Sequence, residues 1–409
     1  MPAPLRQARR PGPAPKTLTE AREVGDPSLP GVVIAGGGTG GHGFVALALA
    51  EALVAEPARA RVVLAGTTGG PEARAAAAAG IPFEGMDVIG FRRSLAPRDL
   101  PRNLSASART GVATLRARVL LRRVHARVAV GCAGYASVPV AVAARLARVP
   151  LVVHEQNAVP GRATRLAAPW ASVVAVSFPG TGEAGAPWAR RWPRVVVTGN
   201  PVRPELAHLD RPALRPAAWE HFGLEAARRT LLVFGGSQGA RHINQAALGA
   251  YDVWRDRADR QVLHLVGPKE LPAAEAALAA ERRPGDALVW RLVGFTDRMD
   301  LAYAAADLGV CRAGAATLFE IAATGLPCIV VPYPHAGAHQ VRNAQPLVEL
   351  DAVRLVLDAD CTRDRLAAEV DGLLDDPPTL AAMSAALRGF AKPDAARDLA
   401  DLVLEVAGR

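Results

Sequence analysis

The chain has 409 residues, 50% of them apolar and 21% charged, with a formal net charge of +9. That length exceeds one hydrophobic core and predicts two domains. The composition excludes a disordered or fibrous chain, and no run of about 18 apolar residues offers a membrane-spanning helix.

In chain order, residues 1–30 are rich in Pro, Ala and Arg without periodicity and read as a disordered tail. The tail has positive charge but no apolar segment, so it is not a secretory signal. From residue 31, short β-branched runs alternate with alanine- and leucine-rich helical stretches. The predicted strands are GVVIAG (31–36), RVVLAG (61–66), ARVAVG (126–131), PLVVHE (150–155), SVVAVS (172–177) and RVVVTG (194–199) in the first half. The second half offers TLLVFG (230–235), QVLHLVG (261–267), LGVCR (308–312), PCIVVPY (327–333) and VRLVL (353–357). These runs are apolar throughout, as parallel strands are when helices cover both faces. The expected class is therefore α/β, with two Rossmann-like doubly wound domains facing across a cleft.

The expected boundaries are 31–200 for the first domain and 201–392 for the second. Pro201 and Pro204 break the chain between them, and a terminal helix near 393–409 is expected to pack back on the first domain. Cys132, Cys311, Cys328 and Cys361 form no CxxC pair; Cys311 and Cys328, in apolar runs, suggest core thiols in a reducing compartment, with no structural disulfide and no metal site expected.

The two halves open alike: VVIAGGGTGGH (32–42) and LLVFGGSQGAR (231–241) are each a strand, a glycine turn and a helix start. Gly36, Gly38 and Gly41 match a dinucleotide fingerprint, but the next strand ends in Gly66 and Thr67, without the acid that would hold a ribose. The second loop lacks the middle and last glycines, and neither loop carries the Lys-Ser or Lys-Thr of a P-loop. What survives is anion binding by backbone N–H groups at helix N-termini.

His42 follows the first glycine loop. It reads equally as a backbone or phosphate contact and as a general base. VVHEQN (152–157) ends a buried strand in His154, Glu155, Gln156 and Asn157. Either these cap the next helix, or Glu155 and Asn157 hold a substrate's hydroxyls or amide. Arg203, in GNPVR (199–203), is a hinge arginine or a diphosphate partner. Gly314, Ala315 and Ala316 begin a helix with small residues, and Glu320 within it suits two ribose hydroxyls or merely complements the dipole. Gln340 and Asn343 share one helical face beyond His339, suited to sugar hydroxyls.

GGTGGH, GYxSxP (Gly134 to Pro139), HEQN, GNPVR, GGSQGA, RAGAATLFE and HQxxNAxPL occur in this order. Together they resemble the MurG family, glycosyltransferases of peptidoglycan synthesis with the GT-B fold, over about residues 31–405. The resemblance implies UDP-N-acetylglucosamine as donor and lipid I as acceptor. It implies lipid II as product, inversion at the anomeric carbon, and no cofactor or metal. It places Ser237 at the diphosphate, Thr296 at the uracil, and Ala315, Ala316, Thr317 and Glu320 at phosphate and ribose. Thr39, Gly40, Gly41, Asn157, Arg203, His339, Gln340 and Asn343 fill the remaining donor contacts. Gly134, Tyr135 and His154 lie on the acceptor side, with His42 as first and Glu155 as second candidate for the base. Where the family commonly has a second glycine before Gly134, this chain has Ala133, which stiffens the loop.

Residues 89–128 concentrate arginine among leucine, valine and phenylalanine, with only Asp99 opposing the charge. A solvated helix face is one reading. The lipid-linked acceptor favours the other, an interfacial patch on anionic lipid at the cytoplasmic face of the membrane. Few aromatics and no binding motif speak against nucleic acid. The resemblance admits other cell-wall or division proteins as partners. The alternatives are another UDP-sugar enzyme of the same fold, a UDP-N-acetylglucosamine 2-epimerase, or a non-catalytic cell-wall scaffold.

Overall fold

The computed structural model describes residues 26, 28–37, 40–55, 57–92, 96–182, 186–236, 240–334 and 339–408, without the side chains of residues 40–42 and 97. Most of the predicted tail therefore lies outside the described residues. Two parallel sheets organise the rest. The first contains β1 (Gly31–Ala35), β2 (Arg61–Thr67), β3 (Phe83–Met86), β4 (Ala126–Gly131), β5 (Leu151–Glu155), β6 (Val173–Val176) and β7 (Arg194–Val197), in the order β3-β2-β1-β4-β5-β6-β7. The second contains β8 (Arg229–Phe234), β9 (Arg260–Leu265), β10 (Val289–Val293), β11 (Leu308–Cys311), β12 (Cys328–Val330) and β13 (Val353–Leu355), in the order β10-β9-β8-β11-β12-β13.

All eleven predicted runs are strands. The two not predicted, β3 and β10, are both sheet edges, where one flank is unpaired and the apolar run is diluted: FEGM and VWRLV. Central strands are the opposite case; every residue of β1 and β5 is buried, including His154 and Glu155.

In each sheet the strand order reverses beside the first strand of that half, between β1 and β4 and between β8 and β11. The crevice at such a reversal, outside the carboxyl ends of the strands, is where open α/β sheets bind ligands. Helix α1 (Gly40–Val54) follows β1 directly from the first glycine turn, α2 (Pro71–Ala78) joins β2 to β3, and α3 (Leu100–Arg123) leads into β4.

The terminal helix Ala395–Ala407 packs Leu399, Val403 and Val406 into one core with Val32, Ile34, Val45 and Leu49. Each such side chain removed from water is worth about 1.5–3 kcal/mol. The last helix of the chain thus helps hold the first sheet, and the chain crosses between the lobes twice. At the crossing, Phe178 beyond β6 packs edge-on against Phe319, ring centroids 5.1 Å apart, and against Phe390 at 6.3 Å.

Candidate active site

The bare backbone of the first glycine turn already faces an anion, and it belongs to the protein. Glu72, the second residue of α2, is buried, and its Oε1 accepts the N–H of Thr67 at 2.9 Å. A Cβ on Gly66 would lie 2.8 Å from Glu72 Cγ, and one on Gly70 would lie 2.6 Å from its Cδ. Gly37 presses on the same carboxylate with φ 141°, a conformation open to glycine. The acid missing from the end of β2 thus arrives from the following helix. It packs against Gly37, Gly66 and Gly70 itself. Thr39 lies outside the described residues. Gly40, Gly41 and His42 form the first turn of α1 at the carboxyl end of β1, with the His42 side chain outside the described residues.

At the end of β5, Glu155 is fully buried with both oxygens engaged. Oε1 accepts from the Asn157 backbone at 2.9 Å and from Asn157 Nδ2 at 3.1 Å. Oε2 accepts from the Gly161 N–H at 3.0 Å and from the Thr164 hydroxyl. A carboxylate so fully coordinated templates the loop 156–161 and has no free lone pair directed at a substrate. The geometry therefore gives Glu155 a positioning task in place of the base role read from sequence. His154, fully buried, directs Nε2 to the Gly199 carbonyl at 3.2 Å, with the Ser177 hydroxyl at 3.4 Å. It braces the inter-lobe junction rather than lining the acceptor face.

The templated loop is then clasped by the other lobe. Asn343, on the helix His339–Glu349, is fully buried; its Oδ1 accepts the Ala158 N–H at 2.9 Å and its Nδ2 donates to Asn157 Oδ1 at 3.1 Å. His339 Nδ1 donates to the Val159 carbonyl at 2.9 Å, which fixes its tautomer. Gln340 Oε1 accepts the Tyr333 N–H at 2.8 Å. The amides of Asn157 and Asn343, expected at sugar hydroxyls, are spent on one another, on Glu155 and on the Ala158 backbone. The helical face that Gln340 shares with Asn343 meets protein, Asn343 at the Ala158 N–H and Gln340 at the Tyr333 N–H.

In the second lobe, Gly314 precedes the helix Ala315–Thr324 without any side-chain cap, so the N–H groups around Ala315, Ala316 and Thr317 stay unclaimed by a side chain. Such a terminus favours an anion through its amides and its dipole. Glu320 lies one and a half turns on. Its Oε1 takes Arg203 Nε and Nη2, each at 3.2 Å, and its Oε2 takes the Tyr303 hydroxyl at 2.7 Å. Arg203 lies over the ring of Phe44 from α1, 5.9 Å from its centroid, with Glu205 at 3.9 Å. Burial opposes the Arg203 charge, but the Glu320 carboxylate, with Tyr303 and Glu205, outweighs it and holds the guanidinium charged. Thr296 follows β10 and accepts the Arg298 N–H at 3.0 Å. Ser237 lies outside the described residues. On the first lobe, Gly134 (φ 72°) and Tyr135 open the turn beyond β4, with Ser137 Oγ donating to the Gly134 carbonyl at 2.9 Å.

Sequence reasoning missed Tyr303 and Glu72. Tyr303 is hidden in LAYAAADLG, an ordinary buried helix pattern, and nothing in that pattern signals a partner 17 residues on. Glu72 carries a signal in retrospect: the glycines at 66, 69 and 70 flank an acid two residues later.

Two Rossmann-like lobes joined at an aromatic seam give the two-domain GT-B architecture. Residues 32–176 match the Glycosyltransferase family 28 N-terminal domain, and residues 230–399 match the Glycosyltransferase family 28 C-terminal domain. The chain is 44% identical, over 93% of its length and 95% of the relative's, to the UDP-N-acetylglucosamine--N-acetylmuramyl-(pentapeptide) pyrophosphoryl-undecaprenol N-acetylglucosamine transferase of Saccharopolyspora erythraea. The crystal structure of Acinetobacter baumannii MurG superimposes with a TM-score of 0.70 at 28% identity, covering 91% of this chain and 99% of that one. A UDP-GlcNAc 2-epimerase from Neisseria meningitidis shares the fold, with a TM-score of 0.64 at 12% identity over 91% of this chain and 99% of its own. The chain belongs to the MurG family, within glycosyltransferase family 28.

Proposed function

We propose that the protein moves N-acetylglucosamine from UDP-N-acetylglucosamine to the muramyl hydroxyl of lipid I and so makes lipid II. The observation that carries this reading is the pairing of Arg203 and Glu320 beside an uncapped helix N-terminus, in a chain that aligns over 93% of its length with a transferase of that name. The acceptor oxygen attacks the anomeric carbon from the face opposite the diphosphate. The bond from that carbon to the diphosphate oxygen breaks, UDP leaves with the electron pair, and the configuration inverts. The new charge on UDP falls where Arg203 and the amides around Ala315 can meet it, an electrostatic stabilisation set up before the reaction begins. The acceptor proton goes to a base. Glu155 has both oxygens occupied, and His42, in the first turn of α1, takes the role.

The test mixes the protein, UDP-N-acetylglucosamine and a short-chain lipid I analogue, and reads the product by mass spectrometry. One added acetylhexosamine on the lipid supports the reading; an unchanged lipid overturns it. His42→Ala should lower kcat far more than donor affinity, and unchanged turnover would clear His42.

We further propose that α3 rests on an anionic membrane surface. Among the described residues no helix is long and apolar enough to cross a membrane. Yet α3 buries mainly small residues (Ala106, Ala113, Ala117) and exposes Leu104, Val112, Leu115 and Val119, the reverse of an ordinary surface helix. Arg102, Arg109, Arg116 and Arg123 flank that stripe at seven-residue spacing. Asp99 within the stretch pairs with Arg92 at 3.4 Å, and from outside it Asp87 pairs with Arg109 at 2.6 Å and Glu84 faces Arg116 and Arg123. Arg93 lies outside the described residues. Reversing Arg92, Arg93, Arg122 and Arg123 to Glu should abolish co-sedimentation with anionic vesicles, and equal sedimentation would reject the patch.

A further inference from the structure

The carboxylate assigned to the donor ribose is not free in this cleft, and its two oxygens are held in different ways. Arg203 holds Oε1 from a seam position: part-exposed, lying over Phe44 of one lobe and bonded to Glu320 of the other. Tyr303 holds Oε2 from inside the core. Its residue is fully buried, its ring packs edge-on against Phe234 at 5.6 Å, and its hydroxyl meets Glu320 at 2.7 Å. The first partner sits at the seam and the second is fixed in the core. A diphosphate offers Arg203 two negative charges and bidentate geometry, a better partner than one carboxylate oxygen. When it leaves, Glu320 loses its cation but keeps its orientation, because the phenol still donates to Oε2.

We propose that Tyr303 is a positioning residue for donor recognition: it locks Glu320 so that, once Arg203 transfers to the diphosphate, Oε1 points at the ribose hydroxyls. This rests on the reading that Glu320 binds the donor ribose. The phenol suits the task in two ways. Burial and the facing carboxylate keep it protonated far into alkaline pH, so it remains a donor. Its ring is fixed by core packing, so little rotamer freedom is lost when the donor arrives. The exchange also answers why opposite charges sit together at the seam. Arg203 and Glu320 neutralise one another until a ligand arrives that carries an anion for one and hydroxyls for the other.

The experiment compares the wild-type protein, Tyr303→Phe and Glu320→Gln in the transfer assay, with UDP-N-acetylglucosamine and its 2′-deoxyuridine counterpart as donors. Phenylalanine keeps the ring and removes only the hydroxyl, and a thermal melt checks that the fold survives. Tyr303→Phe should raise the donor KM about fivefold, the scale of one net hydrogen bond, with kcat within about twofold. It should also shrink the KM penalty of the 2′-deoxy donor. A packing defect would raise KM for both donors alike and leave that penalty intact, and this result overturns the proposal. If Glu320→Gln leaves the 2′-deoxy penalty unchanged, the ribose reading itself falls. If Glu320→Gln erases the penalty and Tyr303→Phe does not reduce it, only the role of Tyr303 falls.

Discussion

The two lips of the cleft each present a glutamate, and they use it in opposite ways. Glu155 on the first lobe is sealed from solvent and coordinated by two backbone N–H groups, one amide and one hydroxyl, all within nine residues of it. Glu320 on the second lobe keeps some exposure and is held by two side chains distant in sequence, one of them a mobile type of cation at the seam. A carboxylate satisfied by nearby backbone builds a loop. A carboxylate satisfied by an exchangeable guanidinium is available to a ligand. Position in a motif does not distinguish the two; the identity of the hydrogen-bond donors does.

The sharpest way to break this comparison is to neutralise each glutamate isosterically. Glu155→Gln turns one acceptor oxygen into a donor facing Thr164 or Gly161, which are themselves donors. The loss of charge-assisted bonds and the buried mismatch should cost about 3 kcal/mol of stability, read as a lowered denaturation midpoint at unchanged slope. Glu320→Gln keeps an acceptor for the Tyr303 hydroxyl and loses only the charge opposite Arg203, so it should lower that midpoint less than Glu155→Gln, its main effect appearing in donor KM. Equal destabilisation by both variants would erase the distinction.

The comparison extends to buried histidines. His264, in β9 of the second lobe, is fully buried, with Nε2 3.0 Å from Asn244 Oδ1. Burial without a carboxylate partner drives its pKa down from 6.5 to about 3. The sign follows from proton counting. Between those values the unfolded chain carries the proton and the folded chain does not, so stability is complete above about pH 6.5 and falls as pH drops towards 3. The slope from this one group is about 1.4 kcal/mol per pH unit. His264→Gln, which keeps a hydrogen-bond donor and removes the titration, should flatten the stability-versus-pH curve between pH 6 and 4 by about one proton's worth. An unchanged slope would show that His264 is protonated in the folded state.

What the sequence made legible follows from the same physics. Continuous apolar runs identify parallel strands, so eleven strands are readable, the edges β7 and β13 among them, while FEGM and VWRLV at the edges β3 and β10 are not. The motifs located the cleft because glycine turns and polar strand ends are costly unless something specific uses them. They did not reveal who uses them. HEQN reads as a ligand-binding string, yet Glu155 and Asn157 are consumed by the loop and by Asn343. Tyr303 was invisible for the converse reason: its chemistry depends on one hydroxyl meeting one carboxylate, and a helical apolar pattern says nothing of such a meeting. Local periodicity encodes burial; pairing across elements is encoded only in three dimensions.

The turns after the equivalent strands β4 and β11 give the smallest and most exacting contrast. The second lobe leaves β11 without a left-handed residue: Gly314 has φ −68°. The first lobe leaves β4 through two left-handed residues in a row, Ala133 at φ 54° and Gly134 at φ 72°. For alanine that conformation costs about 1–2 kcal/mol. Replacing it by glycine relieves the strain, but frees the unfolded backbone by about 0.4–1 kcal/mol and removes a buried methyl worth about 0.8 kcal/mol. The terms nearly cancel, so Ala133→Gly should shift stability by less than about 1 kcal/mol. Ala133→Val has no such compensation: a β-branched residue in this region is a genuine outlier, and the site is closed to solvent. It should cost more than about 2 kcal/mol. Glycine sets the two effects against each other, because it relieves the strain and removes the methyl, whereas valine adds both strain and bulk. A loss well above about 1 kcal/mol for glycine would mean that the Ala133 methyl, not the conformation, holds the turn on which the Gly134–Tyr135 face of the cleft is built.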